Sequence, residues 1–145
     1  MIKTNMLQLG DYVLSGKDKK VSIIASLNND FVLLDYPDND GYYFESKEKY
    51  LEPILITEDL LEKIGFEKSD FKFISNRRVY TKRIGDNSFE YEFTEEGKRV
   101  VMMRLTFNRY SVSSLQQSIF LDIDYLHELQ QIVRLVTKKE LTIKL

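Results

Sequence analysis

The sequence predicts an α+β protein: a small SH3-like β-barrel, a short helix, then an antiparallel sheet with a C-terminal amphipathic helix packed on it. Three observations carry this. Five short runs with strand chemistry fall within the first 55 residues, a well-capped short helix begins after Thr57, and an apolar arc with helical period fills residues 124 to 137. The expected division is a barrel over residues 1–56 and a helix, sheet and C-terminal helix over 57–145, packed as one unit.

The expected barrel strands are Asp11 to Leu14, Val21 to Leu27, Phe31 to Tyr36, Tyr42 to Glu45 and about Tyr50 to Ile54. Gly16 and Asp18, Asn28 and Asn29, and the stretch from Pro37 to Gly41 supply the turns between them. Five strands in so short a span favour closure, which leaves few free edges.

At Thr57 a hydroxyl is placed to cap free backbone amides, and Glu58 and Asp59 favour the positive end of the helix dipole. Ile56 and Leu61 stand at the two positions of a hydrophobic staple, and Gly65 followed by Phe66 suits a left-handed ending. The spacing predicts a helix over 58–64.

From Phe71 to about Leu115 strand patterning returns. A turn at Gly85-Asp86-Asn87-Ser88 makes Arg77 to Ile84 the antiparallel partner of Phe89 to Phe93, with Lys82 opposite Glu90. That register sets Val79 across from Phe93 and Thr81 across from Tyr91. After a turn at Glu95 to Lys98, residues 100 to 107 are apolar on both alternations, which predicts a central strand covered on both faces. In the last helix Tyr125, Leu126, Leu129, Ile132, Val133, Leu135 and Val136 share half of the wheel, while Asp124, His127, Gln130, Gln131, Arg134 and Lys138 share the other. Leu141-Thr142-Ile143 suggests an edge strand at the end.

Composition narrows the function classes. The chain has 145 residues, 43% apolar and 12% aromatic, enough for a folded core throughout. It has no cysteine, so disulfides, cysteine-ligated metal and thiol nucleophiles are excluded, and a reducing, cytoplasmic setting is expected. No apolar run approaches the 18 or so residues that a membrane span needs, and the N-terminus lacks a signal-peptide core, so no membrane partner is expected. The net charge of -2 hides an asymmetry: residues 1–69 carry 8 basic and 13 acidic side chains, residues 70–109 carry 9 and 6, and residues 110–145 carry 4 and 4. All seven arginines lie at or after Arg77.

His127 is the lone imidazole, so general base, metal ligand and pH switch converge on it, with Asp124 three residues before and Gln131 four after. Its place on the polar half of the wheel predicts a solvated side chain. No serine stands in a nucleophile elbow. Asp38, Asp40 and Gly41 fall out of calcium-loop register, since the first ligand position would be Tyr36 and the twelfth Lys47, so a hairpin turn is expected there. Asp122 and Asp124 stand where acidic residues serve a helix cap. No catalytic, cofactor or metal site is therefore expected, and the chain reads as non-enzymatic.

Two binding surfaces remain. His127, Gln130, Gln131 and Arg134 lie together on the polar side of the last helix and are the candidate face for a protein partner. Arg78, Tyr80, Lys82 and Arg83, with Arg77, Lys98, Arg99, Arg104 and Arg109 nearby, form a basic sheet with an interleaved aromatic, the alternative being weak nucleic-acid binding. Glu90 and Glu92 on the facing strand offset part of that charge.

Leu9-Gly10-Asp11-Tyr12-Val13, the run from Glu52-Pro53-Ile54 through the Thr57 helix to Gly65-Phe66, and Tyr125-Leu126-His127-Glu128-Leu129-Gln130 together resemble a group of small proteins of Bacteroidales genomes and their phages or mobile elements. Tyr, a small apolar residue, His, Glu or Gln, Leu and Gln recur as a motif in that group, with Leu126 here in the apolar place. The resemblance implies no activity. It implies an accessory protein of a mobile element over a metabolic enzyme.

Overall fold

A computed structural model describes residues 1–37, 41–69, 78–93, 99–107 and 115–145. The chain forms two compact units: Met1–Leu55 with Tyr125–Gln131, and Ile56–Asp124 with Ile132–Leu145.

In the first unit the five expected strands are β1 (Tyr12–Ser15), β2 (Lys20–Leu27), β3 (Val32–Asp35), β4 (Phe44–Ser46) and β5 (Leu51–Pro53), with a 3-10 turn at Glu48–Tyr50. They form one antiparallel sheet in the order β4-β3-β2-β1-β5. The last strand returns to the first, Leu14 facing Glu52. A register shift between Ile24 and Ser26 breaks the β2–β3 ladder, and a bulge of that kind bends a long strand. Val13, Ile24, Val32, Leu34 and Leu51 point to one side and form the core with Ile2 and Leu7. The Asp38 to Asp40 part of the expected hairpin turn lies outside the described residues.

The second unit opens with α1 (Glu58–Lys63). The Thr57 hydroxyl accepts the Leu60 amide at 3.2 Å. At the other end the Phe66 amide bonds to Leu61 and the Gly65 amide to Glu62, which together make the Schellman ending that Gly65 permits at φ 86°. Ile56 and Leu61 are fully buried, as a staple requires.

A five-stranded antiparallel sheet follows, in the order β10-β9-β8-β7-β6: β6 (Glu67–Lys68), β7 (Arg78–Ile84), β8 (Asn87–Phe93), β9 (Arg99–Phe107) and β10 (Leu115–Asp122). β9 runs between two neighbours, in line with its expected central place. The strand pattern extends past Leu115 into β10, where Gln116, Gln117 and Ser118 blur the alternation. The turn at Glu95 to Lys98 lies outside the described residues.

The β7–β8 register differs by one residue from the expected one. Ile84 faces Asn87, so the loop is only Gly85-Asp86, with Gly85 at φ 61°. A glycine at the first of two loop positions suits a tight primed turn, whose twist matches the flanking strands. A one-residue slip inverts every face. Tyr80 now stands across from Tyr91, and Lys82 from Phe89. Tyr80, Phe89, Tyr91 and Phe93 are all buried, with Tyr91 and Phe93 rings 5.0 Å apart. The Tyr91 hydroxyl donates to the Ile123 carbonyl at 2.7 Å.

Helix α2 (Leu126–Thr137) begins two residues later than expected. Residues 141–145 form no strand; Leu141 is instead buried as a side chain.

Gly65 gives the sharpest test of the second unit. A Cβ there would lie 2.8 Å from the Lys82 ammonium, which donates to the Ile64 carbonyl at the end of α1. Gly65→Ala is expected to destabilise the protein by about 1–2 kcal/mol, combining left-handed strain with loss of that bond, and Gly65→Asn by less. Urea denaturation of the three proteins measures the order.

Candidate functional site

The expected partner face on α2 is largely inside the protein. Glu128 accepts the Tyr125 amide at 3.1 Å, the returning half of a capping box, and this starts the helix. One turn on, the Gln130 carboxamide is fully buried and bridges two backbone groups of the loop leading into β1. Its nitrogen donates to the Gly10 carbonyl at 3.0 Å, and its oxygen accepts the Tyr12 amide at 2.9 Å. Gln131 donates to the Met6 carbonyl at 2.9 Å and to the buried Asp11 carboxylate at 2.6 Å. That carboxylate also accepts the Gln8 amide at 2.8 Å.

His127 is 2% exposed, its ring stacked on Tyr125 at 6.0 Å. Its Nδ1 has no hydrogen-bond partner among the described residues. Burial pushes the imidazole below its ordinary value of 6.5, against the carboxylates of Glu128 and Asp11, which pull it up. Arg134 pairs with Glu140 at 2.8 Å.

The expectation of a solvent-facing group is therefore corrected at His127 and Gln130, which are buried, while Gln131 and Arg134 are partly exposed. The physical reason is backbone hydrogen bonding: Gly10 and Tyr12 carry polar groups that the neighbouring strands leave over, and a buried amide satisfies both. The buried stripe of α2 is Leu126, His127, Leu129, Gln130 and Val133, and Leu135, expected inside, is 70% exposed.

The Arg-bearing sheet is likewise rearranged by the register. Arg78 pairs with Glu58 at the start of α1 and lies 5.6 Å from the Phe93 ring. Tyr80 is 1% exposed and donates to Glu58 at 2.6 Å, so it offers no stacking surface. Lys82 is committed to the Ile64 carbonyl. Arg83 is exposed and donates to the Gly85 carbonyl at 3.1 Å. Arg77, Lys98 and Arg109 lie outside the described residues, and Arg99 and Arg104 are placed as backbone positions of β9. Among the described residues, Arg83 is the one of the four named candidates that remains an exposed cation without a carboxylate.

The surface that does have binding character lies in the first unit. A cleft of about 410 Å³ is lined by Ser15, Gly16, Leu34, Tyr36, Glu45, Ser46, Lys47, Lys49 and Tyr50. Leu34 and Ser15 are buried, and the Ser15 and Ser22 hydroxyls share a 2.6 Å hydrogen bond. Tyr36 carries the Lys20 ammonium 4.0 Å over its ring and the Phe44 ring at 4.8 Å, tilted by 58°. Lys49 lies 4.9 Å over the Tyr50 ring.

Tyr50 in the lining is 47% exposed, Phe44 on Tyr36 is 46% exposed, and Tyr42 and Tyr43, which precede Phe44 in the chain, are 73% and 61% exposed, a concentration of large rings that folding alone does not demand. The signal in the sequence is the run Tyr42-Tyr43-Phe44 beside a turn, which a strand assignment absorbs without asking where its side chains go.

Among the described residues no three His, Cys, Asp or Glu side chains gather where a metal ion could be held, and no helix is long and apolar enough to cross a membrane. Comparison with protein-family models, with curated proteins and with solved structures finds no match.

Gln130→Ala is expected to cost about 2–4 kcal/mol, because two buried backbone groups lose their partner together. Gln131→Ala, at a partly exposed position, is expected to cost about 1 kcal/mol. Denaturant midpoints report both.

His127 gives a pH dependence of definite sign. Its folded value is depressed, so as pH falls the unfolded chain takes up a proton before the folded chain does. The resulting loss of stability begins near 6.5 and levels off once the folded imidazole also protonates. Urea midpoints at about pH 7.5 and about pH 5 should differ more for the native chain than for His127→Gln.

Proposed function

We propose that the protein is a non-enzymatic interaction module that receives a segment of a protein partner in the aromatic cleft of its first unit. The sequence resemblance makes it an accessory protein of a phage or mobile element, and the absence of cysteine suits a cytoplasmic setting. The strand order β4-β3-β2-β1-β5, with a 3-10 turn just before the returning strand, supports an SH3-like reading of that unit.

The single observation that carries the proposal is the cleft with exposed rings beside it. The cleft is lined by the rings of Tyr36 and Tyr50 together with charged Glu45, Lys47 and Lys49. Aromatic contact area with polar groups around it is what a recognition site presents. Tyrosine suits it because it presents a large contact area with few rotatable bonds.

Selection of displayed random peptides on the full chain, followed by titration of the enriched peptides, tests this. Tyr50→Ala, at a half-exposed ring, is expected to weaken binding about tenfold or more while the melting temperature stays nearly constant. Enrichment of no peptide, or equal binding by the Tyr50→Ala protein, would overturn the proposal.

A further inference from the structure

The cleft opens beside the terminal strand of its sheet. β4 is the terminal strand of its sheet, paired with β3 through Val32 and Ser46, Leu33 and Glu45, and Leu34 and Phe44. Among the described residues no strand lies on its other side, so alternate residues of β4 direct N–H and C=O groups away from β3. Edges are commonly guarded by shortness, charge, proline, a bulge or a covering element. β4 is short, with three residues, and carries exposed Glu45, but Gly41 to Ser46 contains no lysine and no proline, Phe44 is exposed, and the β3–β4 ladder keeps its register throughout. The edge and the cleft also share residues, since Glu45 and Ser46 of β4 line the cleft and Phe44 rests on Tyr36.

The charge around the cleft is locally positive within a unit that is acidic. Lys47 and Lys49 line it, Lys20 lies over Tyr36, and none of the three has a carboxylate partner among the described residues. Against them stands Glu45 as the acidic group of the lining. Over residues 1–55, however, there are six lysines, no arginine and nine carboxylates. A long polyanion such as single-stranded nucleic acid is repelled by that excess, whereas a peptide with one or two carboxylates matches the lysines alone.

We infer that the partner segment binds as an added antiparallel strand on β4, with acidic residues at its amino end meeting Lys47 and Lys49. This rests on the cleft being the binding site. The backbone of the segment bonds to the edge, and every second side chain turns toward the cleft face that Phe44 and Ser46 share with Leu34. Antiparallel addition continues the pattern of the whole sheet, and it places the amino end of the segment beside the carboxyl end of β4, where Lys47 follows Ser46.

The probe is a fluorescein-labelled octapeptide with two glutamates at its amino end followed by alternating valine and threonine. Four counterparts accompany it: two lysines in place of the glutamates, the glutamates moved to the carboxyl end, and N-methylation of alternate residues in each of the two possible frames. Binding to the full chain is expected to be at least about tenfold tighter for the first peptide than for the lysine or carboxyl-end versions. N-methylation in one frame should abolish binding and in the other leave it intact. The double variant Lys47→Glu, Lys49→Glu should reverse the preference toward the lysine peptide.

Equal affinity for all orientations, tolerance of both methylation frames, or displacement of the probe by a twelve-residue oligothymidylate would overturn strand addition. Peptides enriched by display that lose affinity in Tyr50→Ala but tolerate methylation in both frames would leave the cleft proposal standing and remove this one. Failure of display as well would remove both.

Discussion

The carboxamide of Gln130 decides which way the last helix faces. Gly10 and Tyr12 present a carbonyl and an amide that the β1 and β5 ladders do not use, and both are satisfied by one buried side chain 118 and 120 residues away in sequence. A polar pair left unsatisfied in the interior costs several kcal/mol, more than one exposed leucine does. The helix therefore turns Gln130 inward together with Leu126, Leu129 and Val133, and Leu135 is left outside. His127 follows from that setting. It is buried because it stands three residues before Gln130, with no bond of its own on Nδ1.

The extent to which the sequence disclosed this fold depended on how local each determinant was. Helix α1 was legible almost to the residue, because Thr57, the staple at Ile56 and Leu61, and the ending at Gly65 act within one short segment. The five strands of the first sheet were legible for a similar reason, since turn residues separate them. The facing of α2 was not, because the groups that set it belong to the opposite end of the chain. A helical wheel compares side chains with solvent and knows nothing of stranded backbone amides.

The β7–β8 register shows how a single turn redistributes a surface. Arg78, Tyr80 and Lys82 alternate along one face in either register, and the expected register set that face against Glu90 and Glu92. With the loop reduced to Gly85-Asp86, the face is the one that carries Tyr91 and Phe93, and all three side chains reach α1: Arg78 and Tyr80 at Glu58, Lys82 at Ile64. The same residues that looked like a nucleic-acid surface thus close the two ends of a helix. Burial lowers the Lys82 ammonium from its usual range, which fits a cation held at a helix carboxyl end more than one offered to solvent.

The hydrophobic pattern works in one direction only. Apolar residues seek the interior, but an exposed ring says little by itself, and a buried amide says a great deal. In the first unit both exceptions occur together: polar Gln130 and His127 lie inside, while Tyr42, Tyr43 and Phe44 lie outside around an edge strand. The buried exceptions are accounted for by bonds and packing, and their substitution acts on stability. Among the exposed ones, Tyr43 is 61% exposed, and Phe44, although it rests on Tyr36, keeps 46% exposure beside a cleft lined by Tyr36 and Tyr50. Exposed aromatics on an edge strand favour association with another chain. Their place beside a concave site is the reason to look for function at β4 and away from the lone histidine that the composition first singles out.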